Sequence, residues 1–167
     1  VVVRADGDVI NTHFRLFQRP MGLAARPERF AIGTQRAVEE YRNMAAVAPK
    51  LEPAGKHDAA FLARRVHVTG DIDIHEMDWD ADGVLWCVNT RFSCLSTLDA
   101  QNSFVPRWRP AFVSALTPED RCHLNGLAMV DGRPRYVTAL GESDGPQGWR
   151  ERKADGGVLI DIEKGEF

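Results

Sequence analysis

A chain of 167 residues with 44% hydrophobic and 27% charged residues is long enough to bury one core and too short for two large ones. Its 21 basic and 24 acidic residues are interspersed and leave a net charge of −3, so no charge-driven binding of nucleic acid or of an acidic membrane surface is expected. No apolar run approaches the roughly 20 residues that span a bilayer, and this predicts a soluble protein.

Three cysteines, Cys87, Cys94 and Cys122, are odd in number and lack the paired spacing of a zinc site. They predict free thiols on or beside strands and a reducing, cytoplasmic location. The chain opens on Val1 without an initiator methionine and closes on Phe167 as another strand ends, so we expect a fragment of a longer protein.

The first third of the chain predicts two β-hairpins followed by two further extended segments. The hairpin strands are expected at residues 1–5 and 9–14, and at residues 21–24 and 30–34. Residues 37–48 fit both a helical period and a strand alternation, and we favour a strand that runs into a loop. Residues 59–68 are extended and mostly apolar.

Residues 74–90 read as strand, tight turn, strand around Asp82-Gly83, and a third strand is expected at 94–98. A broken outer strand over 104–116 carries Pro106 and Pro110, which favours a sheet edge. Residues 123–140 repeat the strand-turn-strand pattern with Asp131-Gly132 at the turn. A polar, glycine-rich inserted loop follows at 141–157, and a last strand at 158–162.

The second-strand aromatics Phe30, Trp86 and Tyr136 align these units with spacings of 56 and 50 residues. Repeats of about 40 to 50 residues with four short strands predict an all-β fold, a β-propeller, with about three four-stranded blades of a ring of six or seven. We expect a single partial domain over 1–167, with units at 1–18, 19–70, 71–120 and 121–167. A β-sandwich of unrelated hairpins is the alternative.

Four runs of sequence carry a family resemblance. They are TGDIDIH at 69–75, VNTRFSCLSTLD at 88–99, FVPRWRP at 104–110 and RCHLNGLAMVDGRPRYVTALGE at 121–142. They resemble a bacterial family of conserved hypothetical proteins, catalogued as a domain of unknown function. The resemblance implies a β-propeller that continues beyond Phe167 with further repeats, which are then the partner of this chain, and it implies no particular activity.

A weaker similarity, at the level of the superfold, is to the gluconolactonase and senescence-marker propellers. It rests on Asn125-Gly126-Leu127-Ala128, which matches an element that opens an inner strand in those proteins. The similarity implies that Asn125 is a ligand of a central divalent metal ion. It is an analogy between folds and not between established activities.

The 50-residue offset aligns His75 with Asn125 and Asp73 with His123, so the mouth of the central channel is expected to be ringed by His75, Glu76, His123 and Asn125. His75, His123 and Asn125 are the candidate ligands of a divalent metal ion, the candidate cofactor, whose identity these mixed donors leave open. Glu76, His75 and His123 are the candidate catalytic residues. The alternative is that the histidines satisfy backbone groups at strand ends.

The loops between second and third strands return to the same face of a blade. They contribute four candidate ligand-binding residues: Asn89, Arg91, Trp149 and Arg150. The long insertion at 141–157 is either a lid over an anionic or sugar-like ligand or a solvated excursion with Trp149 packed on the blade. Both interpretations stay open at this point.

No phosphate-binding glycine loop or His-Glu-x-x-His motif occurs in the chain. The sequence therefore predicts a small-molecule or metal site at the channel mouth, with a metal-assisted hydrolase or lyase as the favoured activity. The alternative is a non-enzymatic platform whose disc face and Trp149 loop bind a protein or a glycan.

Overall fold

The computed structural model describes residues 2–165, and the regular secondary structure of this part of the chain consists almost entirely of antiparallel strands. In chain order the strands are β1 Val2–Asp6, β2 Val9–His13, β3 Leu23–Arg26, β4 Arg29–Gly33, β5 Ala37–Asn43, β6 Phe61–Val68, β7 Ile74–Trp79, β8 Leu85–Asn89, β9 Cys94–Thr97, β10 Val105–Trp108, β11 Leu124–Val130, β12 Arg133–Ala139 and β13 Val158–Asp161. Two short 3-10 helices, Ala48–Lys50 and Gly148–Arg152, are the helical segments of the described residues.

The strands form three consecutive sheets and a separate hairpin. Strands β3 to β6 make one four-stranded sheet and β7 to β10 a second, each in chain order, while β11 to β13 make a three-stranded sheet and β1 pairs with β2. Residues 37–48 do begin as a strand, β5. The outer strand expected over 104–116 is shorter than predicted, because β10 ends at Trp108 and the chain turns at Pro110, whose carbonyl accepts the Val113 N–H at 3.0 Å.

The first strands of the three sheets pack side by side, with β7 between β3 and β11. This places one apolar core on each side of the middle sheet. Successive side chains of β8 point to opposite faces of the sheet and so contribute to both cores. Cys87 faces the core shared with β3 and β4, and its neighbour Val88 faces the core shared with β11 and β12. The fold is therefore a row of sheets in which each is held by its neighbours.

All three cysteines are free and fully buried, as expected from their number and spacing. Burial raises the pKa of the Cys94 thiol to about 12 and that of the Cys122 thiol to about 11. Both are therefore protonated near neutral pH, which is the unreactive form of a thiol.

The turns of the second and third sheets meet at one end of the row. Gly132 has φ +71° in the β11–β12 turn, and its carbonyl accepts the Ala81 N–H from the β7–β8 turn at 2.8 Å. A Cβ on Gly132 would lie 2.6 Å from the Ala81 Cβ, so the two turns fit together only with glycine at this position.

The opposite end of the row, where β7 and β11 begin, repeats an unusual backbone. Asp73 and His123 each precede the strand with positive φ values of 52° and 51°. The first residues of β7 then pair irregularly with β8 between Ile74 and Met77, and those of β11 pair irregularly with β12 between Leu124 and Leu127. Equivalent bulges thus turn equivalent side chains out of the regular pleat at this end.

Candidate functional site

The bulged starts of β7 and β11 bring His75 and His123 into contact. Their imidazole rings lie edge to face with centroids 4.8 Å apart and an interplanar angle of 81°. The side chains are only 11% and 17% exposed. The Thr90 hydroxyl, at the end of β8, donates to the Leu124 carbonyl and ties the second sheet to the third beside this pair. The histidines predicted to ring the channel mouth therefore do lie together.

Each histidine has a carboxylate next to it. The Asp120 oxygens lie 2.9 and 3.1 Å from Nδ1 of His123. An ionised carboxylate only accepts hydrogen bonds, so Nδ1 carries the proton and the neutral ring has its lone pair on Nε2. Asp73 Oδ2 lies 3.7 Å from Nε2 of His75, an ion-pair distance longer than a hydrogen bond. The other Asp73 oxygen accepts from Arg19 at 3.3 Å.

Trp149 completes the surroundings of His123. Its indole Nε1–H donates to Asp120 Oδ2 at 3.1 Å, and its ring lies against the His123 imidazole with centroids 4.4 Å apart. Trp149 is 5% exposed, so the indole is buried against the segment that precedes β11. Arg150 lies over the Trp149 ring at 4.5 Å. Trp149 is therefore packed and not solvent-exposed, while the lid over a ligand stays a prediction.

The environment of His75 disfavours its charged form. Burial lowers the pKa of His75 most, and positive charge on His123 lowers it further, while Asp73 and Asp120 act in the opposite direction. The net shift is downward from 6.5, so His75 is neutral near pH 7. A neutral imidazole is available both as a proton acceptor and as a metal ligand.

The other candidate residues lie around this pair with partners of their own. Glu76 accepts the Met77 N–H at 3.0 Å with its own carboxylate, and Asn125 occupies the bulge of β11. Asn89 is fully buried and accepts the Phe92 N–H at 3.1 Å, which closes the loop after β8. Arg91 pairs with Asp71 at 3.0 Å. Trp149 is thus the one predicted loop residue seen to contact either histidine in the described structure.

Within residues 2–165, no group of three or more His, Cys, Asp or Glu side chains is arranged to hold a metal ion. The carboxylates of Asp73 and Asp120 lie beside ring nitrogens and do not converge with the imidazoles on one point. A metal bound by His75 and His123 would need ligands of other kinds, such as the Asn125 amide oxygen, water or the oxygens of a substrate.

Sequence reasoning missed Asp120, Asp73 and Arg19 as parts of this site. The two carboxylates could have been predicted from the sequence. Asp-x-x-His at 120–123 and Asp-x-His at 73–75 each place an acidic side chain close to a histidine ring. Arg19 could not have been predicted in this way. It lies in the loop before β3, and only the packing of β3 on β7 brings it to Asp73.

The fold and the site together define an all-β protein of the propeller type, with polar residues gathered where inner strands begin. In agreement with this class, the structure is similar to that of a luciferin-regenerating enzyme, with a TM-score of 0.50 and 15% sequence identity over 90% of this chain and 47% of the enzyme. The chain thus spans about half the length of that protein. At this identity the likeness shows the fold alone.

The chain belongs to the family described as Domain of unknown function (DUF4915), which matches residues 1–167. No curated protein matches the sequence. In the described part of the chain, no helix is both long and apolar enough to cross a membrane.

Proposed function

We propose that the starts of β7 and β11 form a small-molecule site, and that His123 and His75 transfer protons there in a hydrolase or lyase reaction. The observation that carries the proposal is the contact between two largely buried imidazoles, each with a carboxylate beside it. Paired titratable groups in a shielded position are a common feature of acid–base sites.

The roles follow from the protonation states. Asp120 holds His123 with the proton on Nδ1, so Nε2 accepts a proton from water or substrate, and Asp120 stabilises the imidazolium that forms. Burial keeps His75 neutral, and the positive charge of His123, once that ring is protonated, disfavours protonation of His75 further. Glu76, half-buried in the same bulge, is the alternative proton acceptor.

A divalent metal ion is the candidate cofactor of the same site. His75, His123 and Asn125 would hold it, with the Asp120–His123 contact acting as the carboxylate support common to metal-bound histidines. Such an ion would polarise an oxygen of the substrate. The weaker similarity of residues 125–128 to the gluconolactonase propellers is the second support for this version.

The alternative function is a non-enzymatic surface that binds a protein or a glycan. Its support is the insertion between β12 and β13, which leaves Arg150, Arg152 and Lys153 exposed while Trp149 is buried. Replacing Arg152 and Lys153 by alanine is expected to leave Arg150 over the Trp149 ring and the histidine pair in place. Loss of a captured partner in that variant, with ester or lactone hydrolysis unchanged, would favour this alternative.

The test of the main proposal is hydrolysis of an aryl acetate and of γ- and δ-lactones by the wild type and by single variants. His123→Ala is expected to lower the rate by about a hundredfold or more, the usual contribution of a general base. Asp120→Asn is expected to cost about tenfold, as loss of a supporting carboxylate does. His13→Asn, at an exposed position on β2, is the control. Wild-type rates in His123→Ala, or no hydrolysis by the wild type, would overturn the hydrolase version.

Elemental analysis of the same preparations tests the metal. Bound divalent metal in the wild type that disappears in His75→Ala and His123→Ala would support the metal-assisted version. Equal metal content in the wild type and both variants would refute these ligands.

A further inference from the structure

The insertion over residues 141–157 is fastened to the segment that carries Asp120. Asp144 Oδ1 accepts the Ser114 N–H at 2.8 Å and an Arg121 N–H at 2.6 Å. The Gln147 N–H donates to the Glu119 carbonyl at 3.0 Å. These contacts flank Asp120 on both sides along the chain, so the insertion and the carboxylate that supports His123 form one packed unit.

Two donors converge on a single oxygen of that carboxylate. Asp120 Oδ2 accepts both from His123 Nδ1, at 2.9 Å, and from Trp149 Nε1, at 3.1 Å. Both hydrogen bonds together restrict the Asp120 carboxylate to one orientation. Hydrogen bonds to a charged acceptor are among the stronger ones in proteins. The indole face on the imidazole then restricts the rotation of His123.

Trp149 also has little access to a ligand. It is 5% exposed, and its polar atom is already bonded to Asp120. Removal of such a residue changes the site through its neighbours and not through a lost ligand contact. Among the predicted ligand-binding residues, this burial sets Trp149 apart from Arg150, which is exposed.

We propose that Trp149 is a positioning residue: through its bond to Asp120 and its packing on the imidazole, the insertion fixes the Asp120–His123 pair in the geometry that proton transfer requires. This inference rests on the proposed function for its catalytic meaning. The geometry it claims is measurable without any substrate.

The experiment uses Trp149→Phe, which keeps an aromatic ring and removes the N–H. In protein with ¹⁵N-labelled histidine, the Nδ1–H of His123 is expected to give a slowly exchanging proton signal in the wild type. In Trp149→Phe its exchange with solvent is expected to rise by about tenfold, the factor that corresponds to losing one hydrogen bond of about 1.4 kcal/mol. Trp108→Phe, on the outer strand β10, is the control and is expected to leave the signal unchanged.

A second variant covers the case in which Trp149→Phe does not fold. Asp144→Asn weakens the fastening of the insertion without touching the core, and is expected to speed the same exchange by a smaller factor. An unchanged Nδ1–H signal in folded Trp149→Phe, or in Asp144→Asn where Trp149→Phe does not fold, would overturn the inference.

Kinetics separate this inference from the proposed function. Where the wild type hydrolyses a test ester or lactone, Trp149→Phe is expected to lower kcat about tenfold with KM unchanged, whereas a ligand-contact role would raise KM. A changed Nδ1–H signal in a protein that hydrolyses none of the substrates supports the positioning geometry and refutes the hydrolase. Wild-type kcat in folded Trp149→Phe would overturn the catalytic part of the inference.

Discussion

The Ile74 side chain of β7 packs directly on the backbone of Gly22, just before β3. A Cβ built on Gly22 would lie 2.7 Å from the Ile74 Cγ2, and one on Gly33 would lie 2.9 Å from the same carbon. Ile74 thus occupies a space that two glycines leave free at the junction of the first and second sheets. The same residue opens the strand that carries His75, so this junction also fixes the start of β7.

Replacing Gly22 by alanine is therefore expected to destabilise the fold. The added methyl overlaps a buried branched side chain, and overpacking of this kind costs about 1–3 kcal/mol. The free energy of unfolding from urea denaturation measures the cost. Gly145→Ala is the matched control, because nothing lies within 4 Å of a Cβ at that position.

A double-mutant cycle assigns the cost to the named contact. In an Ile74→Ala background, Gly22→Ala is expected to cost less, since the shorter of two overlaps is gone and the 2.9 Å approach to the Met77 Cγ remains. An equal cost in both backgrounds would mean that the strain lies elsewhere.

The repeat could be predicted from the sequence because local residue patterns define it. Turn residues such as Asp82-Gly83 and the alternation along β8 need only near neighbours to be interpreted. The contact of His75 with His123 could also be predicted, because the repeat places equivalent strand starts at the same end of adjacent sheets. These features depend on period and not on detailed packing.

Other features depend on packing between distant segments and could not be predicted. The bulges at the starts of β7 and β11 shift side chains by one position relative to a regular pairing, and no residue type marks them. The burial of Trp149 required knowing that Asp144 and Gln147 fasten the insertion to residues 114–121. A polar, glycine-rich segment gives no such information by composition.

Asp80 is expected to matter more for stability than its neighbour Asp82, although both face Arg133. Asp80 is buried, and its two oxygens accept the N–H groups of Asp82 and Val84 at 2.9 Å each and the Trp86 indole N–H at 3.0 Å. In Asp80→Asn an amide N–H₂ replaces one accepting oxygen, and a loss of about 1–3 kcal/mol in unfolding free energy is expected. Thermal and urea unfolding measure it.

Asp82→Asn also removes a negative charge that faces Arg133, but at an exposed position. It is expected to lower the free energy of unfolding by less than about 0.5 kcal/mol. Equal losses in the two variants would show that the charge, and not the set of hydrogen bonds, makes Asp80 important.

His75 makes the stability of the fold depend on pH in a defined direction. Its pKa in the folded protein is lowered from 6.5, first by burial and then by His123. Below about pH 6.5 the unfolded chain binds a proton that the folded chain does not, so unfolding becomes easier as pH falls from about 6.5 toward the lower folded pKa. His75→Asn is expected to flatten this part of the stability profile, measured by urea denaturation from pH 8 to 5.

The exposed His13 provides the comparison for this profile. His13→Asn is expected to leave the slope as in the wild type. A slope that survives in His75→Asn would assign it to another group.

Asp144 gives the opposite kind of pH dependence, at much lower pH. The Ser114 N–H, and then the hydrogen bond and positive charge of Arg121, lower the pKa of Asp144 from 3.8 to about 2. The contribution of this carboxylate is therefore complete above pH 3.8 and is lost as pH falls through about 2. The difference in stability between the wild type and Asp144→Asn is expected to be constant above about pH 4 and to vanish toward pH 2. Urea denaturation at closely spaced pH values measures it, and a difference that persists unchanged at pH 2 would mean that Asp144 fastens the insertion by shape and not by charge.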